Sequence, residues 1–208
     1  MSAVLNAKEI NVSNSGISDL SGIEVFVNDT VLKCSSNSLS SLPLLPNSIT
    51  ELYCQFNQIT SLGPLPSNLR ILTCSSNIIS NISALPGNLT DLQSYNNLLT
   101  TLPAIPNSLK YLNCGTNQLN NLPSLSSSLE YLYCGNNQLT SLPALPNTLK
   151  GIHCFNNNLT QLPTLPSSLN TIDFQNNLIT IIPALPSDLI TFLLEIISFL
   201  FFRHYQAP

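Results

Sequence analysis

In this chain of 208 residues 43% of side chains are apolar and only 8% charged, and six Lys plus Arg stand against ten Asp plus Glu, for a net charge of −4. No basic stripe is available to neutralise phosphates, which argues against nucleic acid as a partner and disfavours anionic lipid surfaces. Met1 to Ile10 holds one lysine and no apolar run of the length an export signal needs.

One pattern, L-x-C-x-x-N-x-L, recurs at every twentieth position, as in Leu112-Asn113-Cys114-Gly115-Thr116-Asn117-Gln118-Leu119. Residues 1–30 carry a divergent version, in which Ile10, Val12, Ile17, Leu20 and Ile23 are the apolar positions and Ser15 takes the asparagine place. The step from Val12 to Cys34 is two positions longer than the step from Cys34 to Cys54. Because this first repeat begins close to Met1, with no capping segment before it, the chain reads as an excerpt of an exported protein, secreted or on the cell surface. A complete cytoplasmic protein is the alternative.

Residues 31–188 hold the regular repeats. Cysteines stand at Cys34, Cys54, Cys74, Cys114, Cys134 and Cys154, each followed at the third position by asparagine, and Asn97 and Asn177 continue that column. Leu52, Leu72, Leu92, Leu112, Leu132, Ile152 and Ile172 form one apolar ladder; Leu42, Leu62, Ile82, Leu102, Leu122, Leu142, Leu162 and Ile182 form a second. In L-x-C the alternation of apolar and polar predicts a short strand with one buried face, and equal spacing predicts parallel pairing. A repeat this short leaves no room for a helix on the return, and L-P-x-L-P, as in Leu142-Pro143-Ala144-Leu145-Pro146, predicts an extended or polyproline-II path. Where Gly63 and Ser83 replace the first proline, a looser return is expected.

A fixed period of this length around such a centre marks a leucine-rich-repeat solenoid. The predicted fold is a mainly β, right-handed stack of about nine coils, with one parallel β-sheet on the concave face and an extended convex side. At roughly 4.8 Å per strand the sheet would be on the order of 40 Å long. Residues 189–208 form an apolar segment, too short for a bilayer span, and are expected to make a last coil running into a hydrophobic cap that is helical after Asp188, or a membrane-associating tail.

The wording L-P-x-L-P-x-x-L-x-x-L-x-x-x-x-N-x-L-T-x-L-P, intact around Leu142 to Pro163, resembles the repeats, of the same period, of bacterial type III effectors, some of which carry a separate ubiquitin-ligase domain. The segment Ile17-Ser18-Asp19-Leu20-Ser21-Gly22-Ile23-Glu24-Val25-Phe26, with Leu32-Lys33-Cys34-Ser35-Ser36-Asn37 after it, is similar to the cysteine-bearing repeats of secreted Bacteroidetes-type proteins and of internalin-like adhesins. These resemblances imply a bacterial interaction module. Every cysteine lies at a repeat core position, so ligase activity is not implied.

Little in the sequence points to catalysis. His153 and His204 share no motif with a nucleophile and an orienting carboxylate, so no enzyme activity and no cofactor is expected. The cysteines, one per coil and in a line, cannot surround a metal ion and would bridge only with strain, so six buried free thiols are expected. The asparagine column is expected to satisfy backbone groups at the turns. Lys110, Glu130 and Lys150 share one exposed column and should form a charge ladder.

The functional signal lies on the strand face opposite the core. There Tyr53, Tyr95, Tyr111, Asn113, Tyr131, Tyr133, His153, Phe155 and Asp173 are the candidate partner-binding residues, flanked by Glu51, Gln55, Ile71 and Thr73. Aromatic side chains on a solvent face are favoured interface anchors, although tyrosine also suits strands on propensity alone. A protein partner bound without catalysis is the first expectation. A carbohydrate, or a role as the recognition part of an effector whose enzyme domain lies elsewhere, are the others.

Overall fold

The computed structural model describes residues 8–193. It is a parallel β-solenoid whose ten strands lie side by side in chain order: β1 (Glu9–Asn11), β2 (Val31–Lys33), β3 (Glu51–Tyr53), β4 (Ile71–Thr73), β5 (Asp91–Gln93), β6 (Tyr111–Asn113), β7 (Tyr131–Tyr133), β8 (Gly151–His153), β9 (Thr171–Asp173) and β10 (Thr191–Leu193). At about 4.8 Å per strand the sheet runs about 43 Å. Of the last coil or cap expected over residues 189–208, Thr191–Leu193 form strand β10, paired with β9, where helix was expected after Asp188, and residues 194–208 lie outside the described residues.

Each strand is short because the L-x-C alternation ends at a turn. Immediately before the motif asparagine place, one residue per coil adopts a left-handed conformation, from Asn14 and Ser36 through Asn156 and Asn176, with φ between 49° and 57°. Asparagine tolerates that region and occupies five of these nine places. The motif asparagine then ties two coils together. Asn97, 6% exposed, donates Nδ2 to the Cys74 and Ser94 carbonyls at 3.1 and 3.2 Å, while its Oδ1 accepts from the Ile79 N–H at 3.0 Å. The same contacts recur at Asn57, Asn77, Asn117, Asn137, Asn157 and Asn177.

The strand-centre ladder from Leu32 to Ile172 is wholly buried, in register Leu32↔Leu52 through Ile152↔Ile172. The second expected ladder is weaker than predicted: Leu62, Ile82, Leu102, Leu122 and Leu162 are buried, Leu42 and Leu142 half-buried, and Ile182 is 39% exposed. That column lies where the chain swings onto the return path, so one side meets solvent. Two other columns fill the interior at 0% exposure, Leu39 to Leu159 after the asparagine and Ile49 to Leu169 before the strand.

The first coil, slightly longer than the rest, spends the excess on a single 3₁₀ turn at Ile23–Val25 that buries Ile23. Where Gly63 and Ser83 replace proline the return does not simply loosen. Ser61 and Asn81 form an isolated parallel bridge there, at the two coils freed from proline's fixed φ and missing N–H.

All six cysteines are free and 0% exposed. Burial pushes the thiols of Cys34, Cys74, Cys114 and Cys154 up to about 12 and raises Cys54 and Cys134 as well. No reactive thiolate is therefore accessible. In the native protein a small disulfide reagent should titrate none of the six thiols, and after denaturation all of them. A mass gain of two hydrogens per pair on reduction would show bridging instead.

Candidate interaction surface

Tyr111 on β6, Tyr131 and Tyr133 on β7, and His153 on β8 meet on the solvent face of three adjacent strands. The register sets Tyr111 beside Tyr131, Asn113 beside Tyr133, and Tyr133 beside His153. The Tyr133 and His153 rings stack with centroids 4.8 Å apart and planes 9° from parallel. Tyr111 lies tilted against Tyr133 at 5.3 Å and against Tyr131 at 6.4 Å. Burial in this cluster, then the neighbouring Tyr133 and Asp91, raises the Tyr111 phenol above its ordinary value.

Tyr95 and Phe155 come from the turns after β5 and β8 rather than from strands. Both rings lean over glycines. A Cβ on Gly115 would stand 3.3 Å from Tyr95 Cδ2, and one on Gly135 only 2.7 Å from Phe155 Cε1. Between them lies a shallow depression of about 120 Å³ lined also by Asn113, Tyr133, Asn136 and His153. Gly115, Gly135 and Asn136 were not among the residues expected here. The signal of the two glycines in the sequence is a column running Gln55, Ser75, Tyr95, Gly115, Gly135, Phe155, in which side chains vanish between two aromatics.

One expected site residue, Tyr53, stands apart from the cluster. Tyr53 lies on β3, where its hydroxyl donates to Glu51 Oε2 at 2.8 Å and the Lys33 ammonium sits 5.9 Å from its ring centre. Burial and Glu51 push its phenol up to about 12. Asp173 lies beside His153 in the register, is 9% exposed, and its Oδ1 accepts the Gln175 N–H at 3.1 Å, a turn contact. Asn113 likewise accepts the Gly115 N–H, at 3.2 Å.

The charge ladder is present beside the tyrosines: Glu130 pairs with Lys150 at 2.6 Å and with Lys110 at 3.8 Å. Lys150 holds the Glu130 carboxyl below its ordinary value and is itself raised. With both lysines substantially exposed, such pairs contribute little to stability. Among the described residues no group of three or more His, Cys, Asp or Glu is placed to hold a metal ion, and no helix is long and apolar enough to cross a membrane.

The chain matches the family model for leucine-rich repeats (two copies) over residues 47–87 and 127–167. It is 35% identical to YopM, a leucine-rich effector protein from Yersinia pestis, over 90% of this chain and 56% of that one, with a TM-score of 0.82. With YopM from Yersinia enterocolitica it shares 32% identity over 89% of this chain and 46% of that one, with a TM-score of 0.76. An internalin from Listeria monocytogenes shares the fold, at 21% identity over 91% of this chain and 61% of that one and a TM-score of 0.70. The chain thus spans about half the length of the YopM chains it matches. Comparison with curated protein sequences gives no match. With the period, the parallel solenoid, the family-model match and these likenesses together, the chain is a leucine-rich-repeat solenoid with cysteine-bearing repeats, similar to those of bacterial effector proteins.

Proposed function

We propose that this solenoid is a non-enzymatic module that holds a protein partner on its sheet face, anchored by Tyr111, Tyr131, Tyr133 and His153, with Tyr95, Asn113 and Phe155 shaping the adjoining depression. The observation that carries this is the contiguous aromatic cluster on a solvent face, flanked along one side by the Lys110, Glu130 and Lys150 charges. An aromatic centre with a polar rim is the anatomy of an interface hot spot. The depression, about 120 Å³, is well below the roughly 300–1,000 Å³ of pockets that bury small molecules. That favours a polypeptide over a free ligand. Identities of 35% and 32% to the YopM chains, against 21% to the internalin, favour the recognition part of an exported effector over an adhesin.

The test compares wild type with the Tyr131→Ala, Tyr133→Ala double variant in affinity capture and on a glycan array, with thermal melts alongside. The expected result is an unchanged melt and loss of the captured partner by a factor of about 30 or more, the equivalent of about 2 kcal/mol at a hot spot. If capture persists while the melting point falls, the tyrosines are packing residues. If glycans bind and proteins do not, the partner class is wrong.

A further inference from the structure

The carboxylates on the sheet face are distributed unevenly with respect to their cations. Lys33 is engaged by Glu9, at 2.9 Å, and Lys110 and Lys150 by Glu130. Glu51 and Asp91, which share one outward column with Tyr111 and Tyr131, have no cationic partner among the described residues. Asp91 is half-buried and is contacted by Gln93 Nε2 at a long 3.3 Å. It lies directly beside Tyr111 in the register, at the edge of the aromatic cluster.

At the N-terminal end of the same sheet the chain supplies its own cation to a similar setting. The Lys33 ammonium binds Glu9 and sits over the Tyr53 ring. A carboxylate next to a tyrosine face suits a cation twice, through the ion pair and through the ring quadrupole. At Asp91 and Tyr111 the carboxylate and the ring are in place without one. A partner covering the cluster would strip water from Asp91, and a buried carboxylate left unpaired is strongly disfavoured or shifts to its neutral form. Burial already raises the Asp91 carboxyl above its ordinary value.

Resting on the partner-binding reading above, we propose that the partner is cationic where it meets this face: a polypeptide segment that sets an Arg or Lys against Asp91 and Tyr111 and lays an apolar or aromatic side chain beside Tyr133 and His153. Arginine suits the place best, because its planar fork pairs with a carboxylate while its face stacks on a ring. The chain's net charge of −4 acts in the same direction, steering basic segments toward it.

The probe is a phage-displayed library of random dodecapeptides selected on the full chain, with the enriched peptides then measured against Asp91→Asn and Tyr133→Ala. Peptides carrying Arg or Lys together with an apolar residue are expected, weakened about tenfold or more by Asp91→Asn and by a rise in salt that shortens the screening length from about 10 Å to about 3 Å. Peptides that lose binding with Tyr133→Ala but not with Asp91→Asn or salt would overturn the cationic inference and leave the interaction surface standing. Peptides indifferent to Tyr133→Ala, or no enrichment at all, would overturn both. Melts of both variants that match wild type establish that each measurement reports on folded protein.

Discussion

Asn117→Ala is expected to destabilise the chain by about 3 kcal/mol, whereas Thr116→Ala next to it changes stability by about 0.5 kcal/mol or less. Asn117 Nδ2 donates to the Ser94 carbonyl of the preceding coil at 3.0 Å and to the Cys114 and Gly115 carbonyls of its own coil at 3.1 Å. Its Oδ1 accepts the N–H of Leu99, a residue with 0% exposure, at 3.0 Å. Alanine leaves that buried N–H without a partner, at a cost of about 1–3 kcal/mol, and takes one of two donors from the Ser94, Cys114 and Gly115 carbonyls, which keep only their bonds from Asn97 Nδ2, Asn137 Nδ2 and the Asn96 N–H. Thr116 sits one place earlier with φ at 49°, and its hydroxyl receives a long 3.4 Å bond from Asn136 Nδ2. Losing that contact exposes nothing buried. For a chain of this size the difference corresponds to a melting shift of about 5–10 °C. Equal denaturant midpoints for the two variants would sink the account of the asparagine column.

The repeat made most of this fold legible. A constant period forces Leu32, Leu52 and their successors into one register, and the cysteine and asparagine columns follow as core and turn. What the period concealed was relative weight. The columns of Leu39 and Ile49 are as repetitive as the strand ladder, and their complete burial emerges only once the turns on either side close over them. The site was legible in part. Tyr111, Tyr131, Tyr133 and His153 share strand faces, so alternation alone predicts their meeting. The lean of Phe155 over Gly135 depends instead on what the neighbouring coil lacks, a relation between successive coils that no single repeat displays. Asp173 shows the converse: its place in the pattern is outward, yet the turn to Gln175 takes up its carboxylate.

A further large effect is expected from Leu112→Ala. Leu112 has 0% exposure and stands between Leu92 and Leu132 in the ladder, so truncation removes contacts to both neighbouring coils at once. A buried leucine cut to alanine costs about 2–5 kcal/mol, the upper end where the surroundings cannot collapse. Here they cannot collapse freely, because the spacing of the coils is set by the strand hydrogen bonds between β5, β6 and β7. In a solenoid, stability is approximately a sum of coil terms and nearest-neighbour interface terms. A defect at the centre therefore weakens the coupling between two halves of comparable length. Ile172→Ala, equally buried but on β9 near the end of the described stack, weakens the coupling of a short terminal part to the rest. Urea unfolding should accordingly broaden or split for Leu112→Ala, with a lower apparent slope. For Ile172→Ala the main transition should stay sharp, while hydrogen exchange shows early loss of protection confined to the coils around β9 and β10. If both variants instead unfold in one transition, shifted equally and with the wild-type slope, the stack behaves as a single cooperative unit and the nearest-neighbour description fails for this chain.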